Sequence, residues 1–431
     1  MNIPLIVFII SFILVFILRI PIAAGMLMSS IFYFALAQGP IADISMVATK
    51  FLTSLNSSFV LIAVPLFVFM AEIMNSGKVT DMIFDFAATV VGKRKGGLGH
   101  VNVVASIIFS GMTGSALADA SGLGMMEIKA MKKHGYDDGF SCAITAASAT
   151  IGPVFPPSIP MIFYSMLSGA SVGALFMGGM VPGILVGLAL MAYIAYIANK
   201  RNYPRGKTVI LKDLLLITIK AAPALFSVVV LLGGIYSGIV TPTEAGALAS
   251  LYAIIISVFV YRAMGWNDFL RVVLSTVKTT GVLSLLVGSA YVFSYIVAIE
   301  HIPDTVATFL LGVTNNKYLL LLLINIIFLV LGMFVDTMCI ILVFIPIVLP
   351  LVLELGIDPV HFGVVITLNM MIGLSTPPFG MLLFVVSGIS GTPLKAVIKE
   401  IMPMLMVLFA VLFLITYFPP LVTFLPSMMG M

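Results

Sequence analysis

Apolar runs long enough to cross a bilayer recur from one end of this 431-residue chain to the other. A transmembrane helix needs about 20 predominantly apolar residues. Ile3–Leu18, Phe59–Met74, Met180–Ala198 and Met402–Phe418 approach that length. Only 9% of the residues are charged, against roughly 25% in soluble domains, so a water-facing surface cannot be built from them. The chain therefore reads as an all-α polytopic membrane protein embedded in the lipid bilayer. The first apolar run lacks a basic front end and is followed by Arg19-Ile20-Pro21, which reads as a retained helix rather than a cleaved signal. No Gly-x-x-x-x-Gly-Lys-Ser/Thr loop occurs, so ATP is not the power source in this chain. A net charge of +4 suggests no nucleic-acid partner. Cys142 and Cys339 stand alone in apolar surroundings, which fits core packing and not a metal site.

Basic loops stay on the cytoplasmic side of a membrane. That rule places Lys93-Arg94-Lys95, Lys129–Lys133, Lys200–Lys212, Arg262–Arg271 and Lys395–Lys399 inside. The segments holding Glu300, Asp304, Glu354 and Asp358 are poor in basic residues and go outside. Two stretches then have both ends on one side. Lys95–Lys129 begins and ends inside, and Asn315–Glu354 begins and ends outside. Each is expected to be a re-entrant helical hairpin, and the count of crossings between them puts both termini outside.

These stretches also belong to an internal repeat. Gly111-Met112 matches Gly332-Met333 at an offset of 332 − 111 = 221. Gly135-x-Asp137, Ile151-Gly152 and Pro156-Pro157 match Gly356-x-Asp358, Ile372-Gly373 and Pro377-Pro378 at the same offset. With hairpins of opposite orientation, this is an inverted-topology repeat, the pattern of secondary transporters. In each copy a helix after the hairpin is interrupted, by Gly152–Ser158 and by Gly373–Pro378. Consecutive prolines remove two donors and clash with the preceding turn. Unwound backbone at membrane depth survives where it lines a cavity. Its carbonyls suit a hard cation, and the N-terminus of the resumed half-helix suits an anion.

Within the hairpins, Ser110-Gly111-Met112-Thr113-Gly114-Ser115 and Asp119 bring small and hydroxyl residues together, which could also serve close helix packing. Asp336 stands in an otherwise apolar stretch from Tyr318 to Leu353. A carboxylate there is a functional candidate by default, satisfied by a cation, by protonation or by a structural hydrogen bond. No arginine lies mid-span to hold a carboxylate substrate, so an anion would rely on half-helix N-termini, hydroxyls and bound cations. Sodium is the expected ion. Its expected ligands are Ser110, Gly111, Thr113, Ser115 and Asp119 in the first hairpin, and Gly152, Phe155 and Pro156 in the first break. In the second half they are Gly332, Asp336 and Thr337, then Gly373, Thr376 and Pro377. Substrate contacts are expected at Ser115, Ser158, Ser375 and Thr376. Thr241-Pro242-Thr243-Glu244 reads as a helix start. His100, His134, His301 and His361, near segment ends, read as interfacial anchors.

These residues together resemble the large M subunit of tripartite ATP-independent periplasmic (TRAP) transporters. The resemblance rests on Gly111–Ser115 with Ala118-Asp119, Gly152–Pro157, Pro242–Gly246, Gly332-Met333 with Asp336-Thr337, and Gly373–Pro378. It covers essentially the whole chain. It implies a sodium-coupled, elevator-type symporter in the bacterial inner membrane that imports an organic acid. It also implies two partners, a small four-helix Q membrane subunit and a periplasmic substrate-binding protein P. The Q subunit would be a separate chain. Sialic acid and C4-dicarboxylates are both candidate substrates, with sialic acid preferred. On this reading residues 1–96 are scaffold helices and a first arm, and 97–166 are the first transport half. Residues 167–317 are scaffold and a second arm, 318–390 the second transport half, and 391–431 the last scaffold helix. Thr80–Val91 and Asp304–Val313 are the arms. A stand-alone sodium/anion symporter without a binding protein is the alternative. An aspartyl protease using Asp119 and Asp336 lacks the sequence setting of such enzymes, and a channel fits poorly with inverted broken-helix repeats.

Overall fold

The computed structural model describes residues 3–18, 20–37, 43–57, 59–75, 78–206, 211–314 and 316–430. Arg19, Asn315 and residues 207–210, which entered the loop assignments, lie outside the described residues. Among the described residues the regular elements are 21 α-helices and one π-helical stretch, Ile256–Val260, with no strand. Seven helices are long and apolar enough to cross a membrane, or eight if one bent pair forms a single span. Apolar side chains such as Leu188, Phe226, Val229 and Phe413 stand exposed on them. Hydrocarbon accommodates these side chains and water does not.

The repeat is visible as geometry. Hairpin one rises through Gly97–Thr113 and returns through Ala116–Ser121 and Leu123–Lys133. Hairpin two rises through Lys317–Phe334 and returns through Thr337–Glu354. Subtracting 221 from 337–354 gives 116–133, the span of the first returning arm. Each hairpin is followed by a broken helix. The first is Asp138–Ala149 and Ile159–Ser168; the second is Pro359–Leu374 and Met381–Ser390. Both interruptions fall at the paired prolines, and the Pro156–Pro157 and Pro377–Pro378 bonds are both cis.

Three hydrogen bonds show that the broken helices run antiparallel. Tyr164, late in the first, donates to the carbonyl of Pro359 at the start of the second at 2.7 Å. Cys142, early in the first, donates to Ser390 Oγ at the end of the second at 3.1 Å. Between them, Ser375 in the second break donates to Ala146 O at 3.2 Å. The hairpins enter from opposite ends of this pair. The base of hairpin one is closed by Leu98 N donating to Tyr136 Oη at 3.2 Å. The base of hairpin two is closed by Leu320 and Leu351, packed with Leu310.

Basic residues gather at the base of hairpin one. Arg201 pairs with Asp137 at 3.0 Å and with Glu400 at 2.8 Å. Lys95 reaches Asn202 at 2.9 Å, and Lys132 reaches Thr392 at 2.9 Å. One end of the molecule thus collects four of the loops that the charge rule assigns to one side. Two short helices, Lys78–Val91 and Ile302–Val313, pack against the hairpins, the first on Gly97–Thr113 and the second on Thr337–Glu354. The Thr241 helix start is a capping box: Glu244 N donates to Thr241 Oγ1 at 3.3 Å and Thr241 N to Glu244 Oε2 at 2.7 Å. Cys142 and Cys339 are buried free thiols, as core packing requires.

Two of the histidines depart from the sequence reading, while His134 and His301 stand exposed at helix ends. His100 and His361 are buried, and His361 Nε2 contacts Ile415 O at 2.8 Å. Their helices are enclosed on all sides by neighbours, so a position near a helix end does not face an interface. His134 contacts its own helix at Ala130 O, and His301 pairs with Asp304 at 2.9 Å.

Candidate transport site

The first helical turn leaves backbone N–H groups without intrahelical partners, and a side-chain oxygen before the helix supplies one. Both hairpin tips are built this way. Ser115 Oγ accepts from Ala118 N at 3.3 Å, and the Asp336 carboxylate accepts from Met338 N at 3.0 Å. The two residues are equivalent in the repeat, since 336 − 221 = 115. They line one cleft, with Gly114, Thr337, Pro153 and Leu374 around them. The tips therefore meet at one cleft, beside the first break and the end of Pro359–Leu374.

Backbone approach explains the glycines. Gly114 has φ 58°, and a Cβ there would lie 2.5 Å from Pro157 O, so the tip of hairpin one lies directly on the first break. A Cβ at Gly152 would lie 3.3 Å from the Ser115 carbonyl carbon. In the second half the tight pair is Gly332 and Gly373: a Cβ on Gly373 would be 2.8 Å from Gly332 Cα. Gly111 instead faces Val228 of Leu211–Tyr236 and stands outside the tip cleft.

The other expected residues divide by what their polar atoms do. Thr337 lines the cleft and its hydroxyl has no hydrogen-bond partner among the described residues. Ser110 and Thr113 donate back to Ser106 O and Phe109 O within their own helix. Ser158 caps Ile159–Ser168 and bonds Pro153 O across the first break. Thr376 donates to Ile372 O at 2.7 Å, and Ser375 is taken by Ala146 O. Phe155 packs on Gly183. Pro156 and Pro377 sit in the breaks themselves. Of the four expected substrate contacts, Ser115 lines the tip cleft, while Ser158, Ser375 and Thr376 turn to backbone. Asp119 is buried on the far side of the returning arm and does not line the cleft.

Ser115 also lines a second cleft with Thr113, Glu72, Asn75 and Thr279. Glu72 and Asn75 in turn line a third with Asp268, Arg271 and Ser275. Shared residues thus link the cleft at the hairpin tips to one beside the basic Arg262–Arg271 loop. Glu72 was not singled out from sequence, although it carries the same signal as Asp336, an acid inside an apolar run (Phe59–Met74). Its Oε1 accepts from Ser275 Oγ at 3.0 Å. Two helix N-termini and one carboxylate at a shared cleft favour an anion and a cation side by side.

The family model described as "Tripartite ATP-independent periplasmic transporter, DctM component" matches residues 9–421. This chain is a TRAP transporter large permease. It is 43% identical to the sialic acid TRAP transporter large permease protein SiaM of Vibrio cholerae, over 86% of this chain and 87% of that one. It is 38% identical to the C4-dicarboxylate TRAP transporter large permease protein DctM of Pseudomonas aeruginosa, over 87% of this chain and 88% of that one. Its fold is similar to that of the Alcanivorax borkumensis YdaH transporter, whose crystal structure is described as having an unusual topology. The TM-score is 0.62 at 14% identity, over 94% of this chain and 97% of that one. The permease is a multi-pass membrane protein, and its relatives are transporters and not enzymes.

Proposed function

We propose that this permease imports an organic acid anion together with sodium across the bacterial inner membrane. The observation that carries the reading is the meeting of Ser115 and Asp336 at one cleft between two antiparallel broken helices. Asp336 attracts sodium, which takes carboxylate, hydroxyl and carbonyl oxygens; bound sodium then offsets the charge that would repel an anion. Cation and anion binding become mutually dependent, which is a route to coupling. The hairpins and broken helices move as one elevator body against the remaining helices. A small Q subunit and a periplasmic binding protein P complete the system. Among organic acids, sialic acid is the first candidate, because the relative that matches at 43% identity carries that name, while the C4-dicarboxylate relative matches at 38%.

The test is uptake of radiolabelled sialic acid by proteoliposomes holding the permease, its Q subunit and its binding protein. Uptake should require an inward sodium gradient, and a C4-dicarboxylate should compete poorly. Equal uptake in potassium and sodium, driven by protons, would overturn the sodium reading. Full uptake by this chain alone would instead favour a stand-alone symporter.

A further inference from the structure

We propose that Asp119 and Glu127 hold a hard monovalent cation inside hairpin one, at a site separate from the tip cleft. This deepens the sodium reading above and rests on it. The two acids lie on the returning arm, either side of Gly122, where Ala116–Ser121 gives way to Leu123–Lys133. Each is 1% exposed. Burying an ionised carboxylate costs several kcal/mol unless it is compensated. Among the described residues neither acid forms an ion pair with Lys or Arg.

Of the hydrogen bonds around them, one reaches an acid and the rest are spent elsewhere. Asn102 donates to Glu127 Oε2 at 2.6 Å and to Thr145 Oγ1 at 2.8 Å. Thr145 donates to Ser141 O, Ser148 to Asn102 Oδ1, and Ser106 to Ser148 Oγ at 3.1 Å. Both Asp119 oxygens and Glu127 Oε1 are left without a partner. Ser106, which donates to Ser148 Oγ, lies beside Asp119. Three buried carboxylate oxygens without a donor are what a cation would meet. The free atoms are all oxygens, and among the described residues no three His, Cys, Asp or Glu side chains gather. That set suits sodium better than a transition metal.

The repeat supplies an internal control. Adding 221 carries Asp119 to Ile340, Glu127 to Val348, Ser106 to Ile327 and Thr145 to Ile366. Ile340, Val348 and Ile366 are buried. Ile327 is exposed, but where the acids stand in the first half the second half buries hydrocarbon, so packing of the arm does not require them. Ala118, next to Asp119, lines the cleft that also holds Asn75, and a Cβ at Gly122 would lie 2.6 Å from Asn75 Oδ1. A cation held by both arms would tie hairpin one together.

The test is equilibrium binding of radiolabelled sodium to the full chain in lipid nanodiscs. Asp119→Asn and Glu127→Gln keep shape and remove charge, and each should bind one sodium fewer than the parent protein. Ser106→Ala should raise the half-saturating sodium concentration roughly tenfold, since losing even an outer partner costs a metal site about 10–100-fold. It remains informative if the acid variants fail to fold. Asp336→Asn should weaken a different sodium, so that Asp119→Asn combined with it loses one ion and binds the other more weakly. An unchanged sodium count and half-saturation in the Asp119, Glu127 and Ser106 variants would overturn this site while leaving the tip site standing. A parent protein that binds no sodium at all would overturn the sodium reading, and this proposal with it.

Discussion

The returning arms of the two hairpins occupy equivalent spans of the repeat, one divided at Gly122 and one continuous, and differ in chemistry. In hairpin two the acid is at the cap, Asp336, and the body of the arm is hydrocarbon, with Ile340 and Val348 buried. In hairpin one the cap is neutral Ser115 and the body carries Asp119 and Glu127. Behind each arm lies a polar network, and these differ in the same way. Hairpin one's network contains Glu127 with Asn102. Hairpin two's is neutral: Asn369 donates to Asn325 Oδ1 at 2.7 Å, and Asn325 donates to Thr416 at 3.1 Å. A duplicated backbone preserves helix starts, breaks and tips because these depend on glycine and proline. It does not preserve where charge is buried, since one side chain can change without moving the frame.

The comparison breaks most completely if the hairpins are not of opposite orientation. Cysteines at positions 95 and 129 should resist an impermeant thiol reagent added outside, while cysteines at 316 and 354 should react. A split within either pair would mean a full crossing and would end the inverted-repeat assignment.

The next largest effect concerns the caps. Asp336→Asn should raise the sodium concentration for half-maximal transport by roughly tenfold or more, with partial recovery at high sodium and unchanged docking of the binding protein. A change in which acid is carried, with sodium activation intact, would make Asp336 a substrate contact. Ser115→Ala at the equivalent cap loses a neutral oxygen and should shift sodium activation only a few-fold; the cap itself is worth ~1 kcal/mol.

Packing separates the halves more gently. Gly373→Ala drives a methyl to 2.8 Å from Gly332 Cα, whereas Gly152→Ala meets backbone at 3.2 Å. Gly373→Ala should cost about 1–3 kcal/mol, seen as a lower melting temperature in detergent, and Gly152→Ala clearly less. Equal costs would mean that the two tips pack alike. The smallest effect is expected at the base of hairpin one. Arg201 is about a third exposed, so Arg201→Met should cost no more than ~1 kcal/mol.

Much of this frame could be read from residues because the offset of 221 is carried by glycine and proline, which report backbone shape directly. Asp336 could be read because it interrupts an apolar run. Glu127 could not: Lys129, Lys132 and Lys133 follow it, so it reads as part of a polar loop, and only the fold turns it inward. The polar network around Glu127 was hidden for a related reason, since Asn102 and Ser148 come from different helices. Ser158, Ser375 and Thr376 were expected at the substrate, yet their hydroxyls bond backbone. Short hydroxyl side chains compete for nearby carbonyls wherever a helix breaks, and composition does not say which partner wins.

The antiparallel relation of the two halves is also the shape of a two-fold dimer whose subunits insert in opposite directions. In such a dimer both tips would carry the same residue, either two aspartates facing one another or two serines. Joining the halves in one chain frees each tip to differ. With serine at one and aspartate at the other, the shared cleft holds a single fixed negative charge from its caps. On the function proposed above, two would repel an anionic cargo, and none would leave a coupled cation without a charged ligand.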